Sequence, residues 1–302
     1  MNFMKKTIAM LIALLCALTL SAAFDPAYSD SLFYLEQDYE SDLDYLDSTL
    51  ASATDDEERA AILWRQARDV LTITDDVPED EKDERLAGYG EAQDLAQQSV
   101  DTYETPNGYH WLSSAIGRIG QVNGPLNSLS KAKPMRELIY KVQNDFNADM
   151  SDSWYVLGLL YDQLPGAPLS FGNSNYAISY MRRCVDTQDN VNRLNLTNYL
   201  ELAQQLYDRN WKADKRAKEA DKMEDKYASE TVPTEKMKYY EGRDGRDTKP
   251  FYSTVSIGQM SDRQEAAMIC QYAMAVYGLK AEPLASDTQK YNEIVEWYNS
   301  IT

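Results

Sequence analysis

Histidine and cysteine are scarce in this chain. Its 302 residues include one histidine and three cysteines, and no two cysteines are spaced as a CxxC pair. Zinc sites and redox motifs need closely spaced ligands of these types, so neither is expected. No nucleophile elbow or phosphate-binding loop is present, and the sequence identifies no serine or cysteine partner for His110. We therefore expect a protein that is not an enzyme and that has no metal, no cofactor and no catalytic residue.

Basic residues are outnumbered by acidic ones. The chain has 30 lysines and arginines against 49 aspartates and glutamates, which gives a formal net charge of −19. This excess of acid opposes binding to the phosphates of a nucleic acid and to an anionic membrane surface, and it favours cationic or neutral partners. Two adjacent carboxylates carry no information about catalysis in such a composition.

Long apolar runs are missing from the sequence beyond the N-terminus. Lys5 and Lys6 precede an apolar stretch over residues 7–20, which is too short for an ordinary membrane span. Small residues follow it, so we predict a secretory signal peptide over residues 1–23, cut after Ala23. The mature chain is then expected to be periplasmic or secreted, with no transmembrane segment.

The three cysteines raise two separate questions. Cys16 lies within the apolar run and could carry a lipid, but Leu14 and Leu15 precede it where a lipobox requires a small residue. A lipid-anchored location is therefore the less favoured alternative. Cys184 and Cys270 remain in the mature chain and could form a disulfide in an oxidising compartment. Cys184 occupies a position that requires a small inward-facing residue, which favours two buried thiols.

Large aromatic residues recur at a nearly constant interval. Trp64, Trp111, Trp154 and Tyr199 are separated by 47, 43 and 45 residues. A second series, separated by 43 and 42 residues, consists of Ala92, Met135 and Ala177. Independent helices would not keep this register, so the pattern predicts three and a half to four helical hairpins over residues 56–229.

The clearest hairpin lies between residues 154 and 186. Its first helix carries Trp154 and Gly158 on one face, and Ala177 begins the matching face of its second helix. The two small residues would let the helix axes approach, and bulky neighbours would fill the surrounding space. The order of large and small residues is the tetratricopeptide signature. Proline and glycine predict long loops inside two of the hairpins, over residues 120–133 and 163–174.

Helical patterns also flank the repeats. They predict a first helix over residues 31–48, which would shield the end of the solenoid, and a last charged helix over residues 211–229. Ser261 and Gln264 have the spacing of a capping box. Two helices with apolar faces follow it, the second over residues 287–300, and the inner groove of the solenoid is the first candidate for burying those faces.

The predicted fold class is all-α: a tetratricopeptide-like α-solenoid of about four helical hairpins with extra N- and C-terminal helices. The signal peptide occupies residues 1–23. The solenoid with its N-terminal capping helix spans residues 24–229. A C-terminal helical extension that packs on the solenoid spans residues 230–302.

The repeat also carries a family resemblance. Its aromatic anchors and its loops LNSLSKAKPMRE and YDQLPGAPLSFGN resemble exported bacterial tetratricopeptide-like proteins. Within that class the chain resembles the T component associated with periplasmic TRAP transporters and, more distantly, the regulator-of-microtubule-dynamics proteins. The resemblance covers residues 56–229. It implies a solenoid that binds a partner, association with a periplasmic substrate-binding subunit and self-association into a ring; many such proteins are lipid-anchored.

The concave surface of the predicted solenoid is the first candidate binding site. In a tetratricopeptide pair the first helices line this surface, which places Leu112, Ile116, Tyr155 and Leu159 there. These residues make it more apolar than a solvated groove should be. It could receive a partner helix or an apolar ligand, or it could be filled by the C-terminal helix of the chain itself.

A loop edge is the second candidate site, and it comprises Lys131, Lys133, Arg136, Phe171 and Asn173. Three of these are cations in a very acidic protein. Pro134 suits the first position of a helix, whose N-terminus could bind an anion beside Lys133; ion pairs with acidic neighbours are the alternative. Phe171 could contact a ligand beside Lys131 or plug a gap between repeats, and Asn173 could cap the next helix.

These observations favour a protein that works by binding. We expect a non-enzymatic periplasmic protein-binding scaffold, with the TRAP-transporter accessory role as the form that the resemblance implies. The alternative is a carrier of a small apolar ligand or metabolite that uses the same groove. A protein partner, such as a periplasmic substrate-binding subunit, is expected, homo-oligomerisation stays open, and nucleic acid is not an expected partner.

Overall fold

The computed structural model describes residues 23–188 and 195–302, and within these ranges it contains thirteen α-helices and no strand. In chain order the helices are α1 (Pro26–Ser31), α2 (Tyr39–Leu50), α3 (Asp56–Asp75), α4 (Lys82–Thr102), α5 (Pro106–Val122), α6 (Pro125–Tyr140), α7 (Ser151–Gln163), α8 (Ser174–Thr187), α9 (Leu196–Arg209), α10 (Ala213–Ser229), α11 (Pro233–Met237), α12 (Asp262–Leu279) and α13 (Ala285–Ile301). Single π-helical turns follow α1 and α6, at Leu32–Glu36 and Lys141–Asp145. The predicted signal peptide up to residue 22, with Cys16, lies outside the described residues.

Consecutive helices pack in pairs. α3 packs with α4, α5 with α6, and α7 with α8, while α4 also contacts α5 and α8 contacts α9. The pairs therefore stack in chain order, and the prediction of an all-α solenoid-like fold is confirmed. Cys184 and Cys270 are both buried in the largest apolar cluster and neither forms a disulfide.

The α7–α8 pair forms as the small residues in its sequence predict. A Cβ atom on Gly158 would lie 2.9 Å from Cε and 3.4 Å from the backbone N of Met181, so α7 lies close to the backbone of α8 at this position. Ala177 is fully buried at the same contact. Trp154 stacks on Tyr180 with 5.8 Å between ring centroids. Together these residues form a close-packed core between the two helices.

The predicted loop over residues 120–133 is wrong. α6 begins at Pro125, directly after Gly124, whose φ of +89° suits the tight turn from α5. Pro134 lies inside α6 and does not start it. The corresponding loop between α7 and α8 is present, over residues 164–173. The first pair does not owe its long repeat to a loop of this kind. Its helices are themselves long, since α3 has 20 residues and α4 has 21.

The predicted first helix over residues 31–48 is interrupted. Gln37 has a left-handed backbone with a φ of +55°, and it separates α1 and its π-helical turn from α2. This N-terminal segment, which comprises α1, the turn and α2, lies on α3. There the buried Arg68 donates to Asp42 at 2.6 Å, and its guanidinium lies 3.8 Å from the centroid of the Phe33 ring.

The partner of α9 differs from the one that chain order suggests. The predicted helix over residues 211–229 exists as α10, but α10 packs on the short turns between α11 and α12, whereas α9 packs on α12. α12 begins with the predicted capping box of Ser261 and Gln264. α13 packs on α12 and α9. The C-terminal helices thus extend the solenoid, and none of their described residues lines its groove.

Candidate functional site

A groove of about 730 Å³ lies between the first helices of the successive pairs. α3, α5, α7 and α9 all contribute to its wall, and α6 forms an edge. The apolar side chains of the wall are Leu71, Trp111, Tyr155, Val156, Leu159 and Leu160. A cavity of this volume with a mainly apolar lining is typical of a small-molecule site.

The N-terminal segment covers part of this groove. Phe33 and Tyr34, from the turn that follows α1, are among the lining residues, and Phe33 is held over the buried Arg68. The side chain of Gln37 also reaches α13, where its Nε2 donates to Oγ of Ser286 at 2.8 Å. The groove is therefore bounded by the N-terminal segment as well as by the stacked pairs.

Four charged side chains of the described residues line the groove, and two of them neutralise each other. Nη2 of Arg118 donates to Oδ2 of Asp75 at 2.8 Å. The hydroxyl of Tyr89 donates to Oδ1 of Asp75 at 2.7 Å. Lys131 and Asp152, the other two, form no hydrogen bond or ion pair with a described residue. The charges of the described lining thus sum to zero in a chain with a net charge of −19, which suits a mainly apolar occupant.

His110 has a partner that the sequence did not identify. Its Nδ1 lies 3.1 Å from Oγ of Ser153, and its ring meets Trp111 edge-on with 5.1 Å between centroids. Burial lowers the pKa of His110, and the nearby carboxylate of Asp152 opposes that shift. Ser153 is fully buried and does not line the groove, so its hydroxyl is out of reach of a ligand there. The pair joins α5 to α7.

Two of the four residues predicted on the concave surface line the groove. Tyr155 and Leu159 do so, both half-buried. Leu112 is only 4% exposed and packs in a cluster between α3 and α4, and Ile116 packs against the same cluster. The face of α5 at the groove carries Trp111, Ser114 and Arg118. In α5 the tryptophan itself lines the groove, whereas in α7 the residue after the tryptophan, Tyr155, does so. The groove-facing positions of the two helices therefore differ by one residue.

The residues of the predicted loop edge do not form one site. Lys131 lines the groove, whereas Lys133 is exposed and does not. The guanidinium of Arg136 lies 4.3 Å from the centroid of the Phe171 ring. Asn173 caps α8, because its Oδ1 accepts two backbone N–H groups of the first turn. The last three residues hold the loop between α7 and α8 in place, away from the groove.

Sequence reasoning missed several residues of the lining, namely Phe33, Tyr34, Leu126, Leu129, Met135, Leu164 and Pro165. Leu126 and Leu129 fall in the predicted loop over residues 120–133, although Pro125 at the first position of α6 is a helix-start signal. Phe33 and Tyr34 fall in the predicted helix over residues 31–48, which is expected to shield the end of the solenoid. No local signal indicates that their rings reach the groove.

Comparisons with known proteins do not identify this arrangement. No family model matches the chain, and no curated protein is significantly similar to it. Within the described ranges, no group of three or more acidic, histidine or cysteine side chains is placed to hold a metal ion. None of the helices in those ranges has both the length and the apolar character needed to cross a bilayer. The groove is therefore the feature of the molecule that points to a function.

Proposed function

We propose that this protein is a non-enzymatic binding protein that holds a small apolar ligand in the groove of a tetratricopeptide-like solenoid. The observation that carries the proposal is the groove itself, about 730 Å³ in volume and lined by apolar side chains of successive first helices. Removing such a ligand from water supplies the binding energy. With a signal peptide over residues 1–23, the carrier would act in the periplasm or outside the cell.

The N-terminal segment favours a small ligand over a partner helix. A partner helix needs an open groove along which its apolar face can lie. Here Phe33 and Tyr34 take up part of the concave surface, and Gln37 is hydrogen-bonded to Ser286 of α13. An occupant of small-molecule size fits the remaining space without displacing these contacts.

A protein-binding scaffold is the second candidate function. Leu126 at the edge of the groove is 86% exposed, and Leu169 in the loop between α7 and α8 is 75% exposed. A partner protein could bury these two side chains outside the cavity. For residues 56–229 the resemblance implies a TRAP-transporter accessory role, with a periplasmic substrate-binding subunit as the partner and self-association into a ring.

Titration with the uncharged fluorescent dye N-phenyl-1-naphthylamine tests the leading proposal. We expect a saturable rise in fluorescence with the unmodified protein. Tyr155→Ala and Leu159→Ala each remove apolar contact from the wall. Each should raise the Kd of the dye roughly tenfold or more, because burying one large apolar side chain contributes about 1.5–3 kcal/mol.

Tyr103→Ala is the matched control, since Tyr103 is 47% exposed and does not line the groove. The Kd of the dye should not change in this variant. Absence of saturable binding, or an equal loss in Tyr103→Ala, would reject the groove as a ligand site. If the protein binds no dye but captures a periplasmic protein, and Leu169→Ala abolishes that capture, the scaffold is favoured instead.

A further inference from the structure

Lys131 is the cation of the groove that has no ion-pair partner among the described residues. It lines the groove from α6 and forms no ion pair or hydrogen bond with any described residue. Its stem packs on α5, because a Cβ atom on Gly120 would lie 3.5 Å from Cγ of Lys131. The stem of the side chain therefore lies against the C-terminal end of α5, where packing and not charge places it.

One of the two carboxylates of the described lining already has two partners. Asp75 accepts from Arg118 through Oδ2 and from Tyr89 through Oδ1, and no hydrogen bond or ion pair joins it to Lys131. The other acid of the lining, Asp152, lies beside His110 near the opposite end of α5. His110 and Gly120 are ten residues apart in this helix, which corresponds to about 15 Å.

The helix that carries Lys131 has a charge opposite to that of the chain. α6 contains Lys131, Lys133 and Arg136 against Glu137 as its single acid, whereas the whole chain has a net charge of −19. A ligand that fills the groove displaces water from the ammonium group. It must then supply an acceptor or leave a charged donor unsatisfied, which is costly in an apolar site. An anionic group is the strongest acceptor for an ammonium.

We propose that the groove binds an amphiphile whose anionic head lies at Lys131 and whose apolar body lies along Trp111 and Tyr155. This assignment rests on the proposed ligand-binding function and specifies its ligand class. Asp152 fixes the orientation, because an anion at that end would meet a carboxylate. A carboxylate and a phosphate monoester share the required chemistry.

Displacement of N-phenyl-1-naphthylamine by four decyl compounds tests the assignment at neutral pH. Decanoate and decyl phosphate carry an anionic head, decanol a neutral one and decylamine a cationic one, on the same apolar chain. With the unmodified protein, at least one of the two anions should displace the dye at a roughly tenfold lower concentration than decanol, since one charge-assisted hydrogen bond distinguishes them. Whichever anion does so identifies the head group.

Three lysine variants assign the preference to one side chain. In Lys131→Met the preferred anion should displace the dye only at the concentration that decanol requires, while the concentration of decanol itself should not change. In Lys131→Arg the anion should still displace the dye at the lower concentration. Lys133→Met is the control on the same helix and should also keep the preference for the anion. The assignment would be overturned if decanol and both anions displaced the dye equally well from the unmodified protein, or if decylamine displaced it best. It would also be overturned if Lys133→Met lost the preference for the anion as Lys131→Met does. Failure of the dye itself to bind would instead reject the proposed function.

Discussion

A buried charge network joins α8, α9, α10 and α12. Six of its side chains, none more than 3% exposed, are Arg182, Arg209, Arg216, Glu241, Asp262 and Glu265. Glu265 is central among them. Its Oε1 accepts from Nη1 of Arg182 at 2.7 Å and from the hydroxyl of Tyr252 at 2.9 Å. Its Oε2 accepts from Nη2 of Arg182 at 3.1 Å and from Arg216.

Replacing Glu265 by glutamine keeps the shape of this side chain and removes one charge. In either orientation the new amide group points N–H donors at other donors, and the network is left with one uncompensated buried cation. Breaking a buried ion pair in this way costs about 3–5 kcal/mol, a large part of the roughly 5–15 kcal/mol that stabilises a typical folded domain. The midpoint of thermal unfolding should fall by roughly 10 °C.

Chemical denaturation followed by far-UV circular dichroism measures this loss. Asp221→Asn is the control, because Asp221 pairs with Arg246 at the surface, where an ion pair contributes about 0.2–1 kcal/mol. A Glu265→Gln variant that lost no more stability than Asp221→Asn would refute the reasoning. It would mean that the ion pairs of Glu265 with Arg182 of α8 and Arg216 of α10 add no net stability.

Glu265 also makes the stability of the fold depend on pH. Burial alone would raise the pKa of Glu265, but the guanidinium groups of Arg182 and Arg216 hold it at about 2, below its ordinary value of 4.5. A carboxyl whose pKa is lowered by folding stabilises the protein above its unfolded pKa and loses that effect as the pH falls through the folded value. We therefore expect stability to fall between about pH 4.5 and about pH 2, less steeply in Glu265→Gln.

Two further predictions concern two glycines and Asp69 of α3. Gly242→Ala should cost about 1–3 kcal/mol on chemical denaturation, since its methyl group would lie 2.5 Å from the backbone oxygen of Ala220. Gly90→Ala, with no atom within 4 Å of the new Cβ, should instead stabilise by about 0.4–1 kcal/mol. Burial, assisted by Asp42, raises the pKa of Asp69 to about 8. The protein should therefore lose stability from about pH 4 to about pH 8, and Asp69→Asn should lose less; an unchanged pH profile would contradict this.

Local patterns allowed the paired helices to be predicted. Gly158 and Ala177 are small because two helix axes meet there, and that requirement is visible as a spacing in the sequence. Ser261 and Gln264 satisfy the first N–H groups of α12 within one turn, so their role can be inferred without knowing what α12 packs against. In each case the physical cause lies within a few residues or one repeat of the signal.

The partner of α9 could not be inferred in the same way. Spacing alone favours α10, the next helix along the chain, but Arg209 of α9 forms an ion pair with Asp262 of α12 at 2.8 Å. Arg216 of α10 points at the same carboxylate and at Glu265. Complementary charges separated by tens of residues have no periodicity, and a chain with 49 acids offers too many equivalent pairings.

The choice between a ligand and a protein partner depends on residues outside the repeats. Stacked pairs by themselves leave a concave surface open, and the core positions that define a repeat are the same whatever binds there. In this chain the surface is partly covered because Arg68 holds Phe33 in position and Gln37 bonds Ser286 across the fold. Loss of those contacts would make the groove accessible to a longer partner without altering any repeat anchor. Under the proposed function, the N-terminal segment and α13 thus decide which occupant fits the groove, and a family resemblance limited to residues 56–229 carries no information about them.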